Sequence, residues 1–63
     1  MLVKGDMIKM VAPIEGFDYV GAIFKVTDVL DSGSIVFNNS IGNGIMTNEE
    51  FDKYFEKHIE PIN

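Results

Sequence analysis

The chain has 63 residues, no cysteine, no arginine, and ten acidic side chains against five lysines, for a net charge of −5. That excludes disulfide staples and thiolate metal sites, and it disfavours non-specific nucleic-acid binding, which relies on arginine forks and clustered positive charge. Hydrophobic residues at 46% rule out a disordered composition, yet folding at this length buries only ~60% of the surface the unfolded chain exposes, so one small core in a single domain spanning residues 1–63 must supply the stability.

The opening "MLVKGDMIKM" is broken by Lys4, Asp6 and Lys9. It lacks the apolar run of a signal peptide, and nothing in the chain approaches a membrane span. The expectation is a protein of the cytoplasm with no membrane association. Met7 to Val11 is predicted as the first strand, fed by a bend at Gly5-Asp6, because Pro13 lacks an N–H and disfavours helix at Ala12.

The segment "APIEGFDYVG" follows, with Gly16 and Gly21 suited to backbone bends that a Cβ would obstruct. Phe17 and Tyr19 are two apart, so an extended loop points both the same way. Either the pair covers the open end of a small barrel, or Tyr19 lines a groove for an extended peptide, as aromatic loops of SH3-type barrels do. Phe17, Asp18, Tyr19 and Tyr54 are the candidate partner-binding residues; within the loop, Phe17 is assigned chiefly to the lid, Asp18 to solvent and Tyr19 to the partner.

From Val20 to Val29 strand-formers dominate, but both phases of the alternation carry apolar residues and Asp28 interrupts one of them. A long strand that changes its buried face midway, through a bulge or bend, explains this. Asp31-Ser32-Gly33 signals a turn into a second arm over Ser34 to Phe37. Asn43-Gly44 is the strongest hairpin dipeptide present, so a turn is predicted there, with a short strand over Gly44 to Met46.

"TNEEFDKYFEKH" predicts a helix over about Asn48 to Lys57. Thr47 and Glu50 have capping-box spacing, Glu49 and Lys53 form a favourable i, i+4 pair, and Phe51, Tyr54, Phe55 and His58 make one helical stripe, read as core. Pro61 stops the helix, and the tail "IEPI" is expected to close the barrel as a last strand. The fold class is therefore mainly β with one short helix, a small SH3-like β-barrel.

The sequence also resembles a family of small phage and prophage proteins of Gram-positive bacteria, of the YorP type. The resemblance rests on Lys4, Gly5 and Asp6; on Gly16, Phe17, Asp18, Val20 and Gly21; on Met46; and on Glu50, Phe51, Tyr54 and Phe55. It spans most of the chain and departs at "NNSIGNG". It implies an SH3-like barrel in a phage or prophage setting and carries no enzymatic activity with it.

Catalytic signals are weak. His58 is the only histidine and reads as a dipole-compensating or half-buried residue at a helix end, without a nucleophile motif beside it. Asp28, Asp31, Ser32 and Ser34 lack the order and the distal glutamate of a calcium loop, and "GNG" has no following Lys-Ser/Thr to make a phosphate loop. No cofactor and no metal is expected. The expected function is non-enzymatic binding of a host protein, as an inhibitor or modulator, by a monomer or weak homodimer. The alternative is a nucleic-acid or nucleotide binder relying on Lys9 and Lys25, outward on adjacent strands; an acidic DNA mimic needs denser carboxylates than these.

Overall fold

The computed structural model describes residues 2–59. Five strands and one helix follow in the order β1 (Met7–Met10), β2 (Ile23–Val29), β3 (Ile35–Asn38), β4 (Asn43–Met46), α1 (Asn48–Tyr54) and β5 (Phe55–His58). All pairings are antiparallel, in a single sheet ordered β4-β3-β2-β1-β5. The protein is mainly β with one short helix, a small SH3-like barrel. β4 and β5 are the edges of the sheet, and α1 is the link between them.

Alternation sets the inward face. Ile8 and Met10 of β1, Phe24 and Val26 of β2, Ile35 and Phe37 of β3, Met46 of β4 and Phe55 of β5 are buried. Each faces another of the set across a strand pair, as with Ile8 and Phe24, Met10 and Phe55, Val26 and Phe37, or Ile35 and Met46. Among the described residues no polar side chain is buried. A core this small gains from apolar burial and has no room to satisfy buried polar groups.

The bulge expected in the second strand is present. The β2–β3 register passes from Val26 opposite Phe37 to Asp28 opposite Val36, leaving Thr27 as the extra residue. Thr27 Oγ1 donates to the Val36 carbonyl at 3.3 Å. The shift turns Asp28 outward and returns Val29 to the core side. The strand begins later than predicted, at Ile23, because Val20 and Gly21 are taken up in a turn.

Further expectations are corrected. The turn between β3 and β4 lies over residues 39–42, and Asn43 and Gly44 are strand residues opposite Asn38 and Phe37. Asn39 makes that turn: its Oδ1 accepts from Ile41 and Gly42 N–H at 2.8 and 3.0 Å, and its Nδ2 donates to the Ile23 carbonyl at 2.8 Å. Gly44 lies under the Phe37 ring, where a Cβ would sit 2.9 Å from Phe37 Cζ. The glycine thus makes room for an aromatic, and the Asn-Gly turn preference loses to that packing.

The helix has its capping box, with Glu50 N–H donating to Thr47 Oγ1 at 3.1 Å and Thr47 N–H to Glu50 Oε1 at 2.9 Å. It ends at Tyr54, however, and the next four residues form β5 on the edge of β1. Phe55 is buried from a strand, while Phe51 and Tyr54 only pack against the core from the helix. His58 sits half-buried in β5 opposite Met7, so it compensates no helix dipole. The closing-strand role given to "IEPI" falls to Phe55–His58; of that tail only Ile59 is among the described residues, and it is exposed.

Candidate functional site

The connection from Val11 to Ala22 joins β1 to β2. Its two ends are clamped together: Met10 N–H donates to the Ala22 carbonyl at 3.1 Å and Gly21 N–H to the Met10 carbonyl at 2.8 Å. Its outgoing arm is pinned to the end of the helix, where the Tyr54 carbonyl accepts from Val11 N–H at 2.7 Å and Ala12 N–H at 3.3 Å.

Two tight turns shape the loop between these anchors. Phe17 N–H donates to the Ile14 carbonyl at 2.8 Å with Gly16 at φ +82°, and Ala22 N–H donates to the Tyr19 carbonyl at 2.9 Å with Gly21 at φ +94°. Both glycines occupy the third turn position in a left-handed conformation that side chains resist, as the sequence suggested. Between the turns, Phe17, Asp18 and Tyr19 are presented on one short stretch.

The structure separates their roles. Phe17 is half-buried, its ring 5.9 Å from Phe24 and 6.3 Å from Phe37. Tyr19 stands edge-on to Phe17 at 4.9 Å and 75°, the favourable arrangement of two ring quadrupoles. It keeps 41% of its surface in solvent, and its backbone N–H lies 3.4 Å from Met10 Sδ. Asp18 is exposed. Tyr54 is half-buried and shares no ring contact with either loop aromatic among the described residues; its carbonyl is what joins it to the loop.

Beside the loop runs an apolar groove of about 220 Å³. It is lined by Ile14 and Phe17 of the loop, by Gly44 and Met46 of β4, and by Phe37 and Phe55. Pockets for small molecules and cofactors run ~300–1,000 Å³, so this groove suits one or two side chains of a partner better than a cofactor. The lining outside the loop was invisible in the sequence, because Phe37, Gly44, Met46 and Phe55 reach the groove only through strand pairing.

Charge around the groove is one-sided. Glu50 lines it, and the loop contributes Glu15 and Asp18 with no lysine between Val11 and Ala22. The lysines named for nucleic-acid contact, Lys9 and Lys25, lie on the outward face of β1 and β2. Lys9 stands opposite Glu56 of β5, and Lys57 reaches Asp6 Oδ2 at 3.6 Å. Carboxylates thus interleave with the lysines and no cationic track forms from them. No described helix is long and apolar enough to cross a membrane. No family model, no curated relative and no solved structure matches the chain.

Proposed function

We propose that the chain is a non-enzymatic protein-binding module, an inhibitor or modulator of a host protein in the bacterial cytoplasm, in the phage or prophage setting its sequence resemblance implies. The observation that carries this reading is the Phe17–Tyr19 pair. One ring closes the core, and the other stands half in solvent at 41% exposure, held edge-on by its neighbour. A partly exposed tyrosine packed on Phe17, which itself lines an apolar groove, has the amphipathic character of residues enriched at protein-recognition hot spots. Glu50 at the groove and the exposed Glu15 and Asp18 of the loop favour a partner segment that brings basic residues to an apolar anchor.

The test is affinity capture from host lysate, with and without nuclease, using the native chain, Phe17→Ala and Tyr19→Ala. Tyr19→Ala is expected to melt close to the native temperature and to lose partner affinity by ~1–2 kcal/mol, roughly 5- to 30-fold. Phe17→Ala is expected to lower the melting temperature markedly, because it opens the core at Phe24 and Phe37. If Tyr19→Ala destabilises as much as Phe17→Ala and captures the same proteins as the native chain, the loop is only a lid. Capture that vanishes with nuclease would instead transfer the function to nucleic acid and to the lysine face.

A further inference from the structure

The two edges of the sheet are built differently. β5 carries Glu56, Lys57 and His58, side chains of the kind that keep an exposed edge from pairing. β4 has no such guard. No charged residue and no proline occurs between Asp31 and Glu49, a stretch that holds all of β3 and β4, in a chain that is 24% charged. Hollows flank β4 on both sides, the groove of about 220 Å³ toward the loop and a broader one of about 390 Å³ on the outer face, and Asn43, Gly44 and Ile45 border both. No described strand lies along its outer side.

The hydrogen-bond phase of this edge follows from the hairpin. Asn39 N–H donates to the Gly42 carbonyl at 2.9 Å. Antiparallel pairs alternate between bonded and non-bonded, so Phe37 with Gly44 and Ile35 with Met46 are the bonded pairs that follow. The N–H and C=O groups of Asn43 and Ile45 therefore point away from β3. Their neighbours in the same phase are committed elsewhere: Thr47 N–H donates to Glu50 Oε1 and its carbonyl accepts from Phe51 N–H, while Ile41 N–H donates to Asn39 Oδ1. The groups open to a new strand are those of residues 43 and 45.

We propose that β4 pairs antiparallel with β4 of a second copy, about a two-fold axis passing at Gly44. In that register Asn43 of each copy lies opposite Ile45 of the other, and every outward backbone group on the edge gains a partner. Gly44 meets Gly44 across a non-bonded pair, at a Cα separation of about 4.5 Å. The two Ile45 side chains, each 61% exposed in the single chain and each beside Val36 on the outer face, become diagonal neighbours at about 7–8 Å. A two-fold contact requires a surface that is its own complement, and residues 43 and 45 supply one. The neutral run also lets two chains of charge −5 meet without opposing like charges. Registers centred on Asn43 or Ile45 would need the backbone of Ile41 or Thr47, which the turn and the helix cap already use.

Sedimentation velocity across low micromolar to near-millimolar concentration tests the association, and cysteine pairing tests the register in a chain with no native cysteine. The native chain is expected to shift from the mass of one chain to that of two. Ile45→Lys, which places a charge on the edge, is expected to weaken association at least tenfold with its circular dichroism unchanged; Tyr19→Ala, off this edge, is expected to associate as the native chain does. A mixture of Asn43→Cys and Ile45→Cys chains is expected to oxidise chiefly to the mixed dimer, because opposite bonded positions lie about 5.5 Å apart and diagonal ones exceed disulfide reach. A native chain that stays single at every concentration, or an Ile45→Lys chain that pairs as tightly, overturns the proposal. Dominant Ile45→Cys homodimers overturn the register.

Discussion

Replacing Phe55 tests the core position that the strand of the structure gives it. Phe55 is 3% exposed, and its ring lies 5.5 Å from Phe37, 6.0 Å from Phe24 and 6.4 Å from Phe51. Truncation of so buried a ring to alanine costs ~3–5 kcal/mol. At ~0.05–0.15 kcal/mol per residue, a 63-residue chain has about 3–9 kcal/mol in all. Phe55→Ala therefore removes a third or more of the total stability even at the favourable limits and all of it at the unfavourable ones, and the milder Phe55→Leu is the informative variant. Leucine keeps the strand pairing with Met10 and fills most of the site, at a cost of about 1–2 kcal/mol. With ~4–8 °C per kcal/mol for a domain of this size, its melting temperature should fall by roughly 5–15 °C. Thermal melts followed by circular dichroism measure this directly. A Phe55→Leu chain that melts at the native temperature would place Phe55 at the surface and refute its burial in the core.

Thr47→Ala removes the acceptor for Glu50 N–H and should cost ~1 kcal/mol; denaturant unfolding will show an unchanged midpoint if the helix is held by packing alone. Gly44→Ala places a methyl 2.9 Å from Phe37 Cζ and should cost ~1–3 kcal/mol through overpacking. A Gly44→Ala chain as stable as the native one in the same unfolding measurement would show that Phe37 moves aside freely.

What the sequence disclosed was local. Thr47 and Glu50 bond across three residues, so the capping box is written in their spacing. The bulge at Thr27 is legible because Asp28 breaks a phase that its neighbours keep, and Gly16 and Gly21 mark the turns they make. The failures come from residues whose local preference loses to a distant partner. Asn43-Gly44 has the strongest turn propensity in the chain, yet Asn39 satisfies the turn with its own carboxamide and Phe37 needs the space over Gly44. Phe51, Tyr54, Phe55 and His58 keep helical period, but β1 has an open side that only Phe55–His58 fills. Period alone cannot decide between a longer helix and a strand whose partner lies forty-odd residues earlier. The site divides in the same way: Phe17 and Tyr19 were readable from spacing two, and the groove lining outside the loop was not.

The aromatic inventory gives the loop its meaning. All five phenylalanines belong to one continuous cluster: Phe17 meets Phe24 and Phe37, these two meet Phe55, and Phe55 stacks on Phe51. A core this small needs every one of those rings, since each buries ~150–250 Å² that no disulfide or metal replaces. Tyr19 stands outside that need. It touches the cluster through a single edge-to-face contact with Phe17, and its turn is made by its carbonyl and by Gly21, which any residue at position 19 would allow. Tyr54 is the contrasting case, half-buried against the core and tied to the loop by its backbone. A large exposed ring that neither fills the core nor shapes its turn contributes little to folding, and its amphipathic surface is what a protein partner would engage. That asymmetry between two aromatics two residues apart is the physical ground for the proposal that Tyr19 serves binding and Phe17 stability.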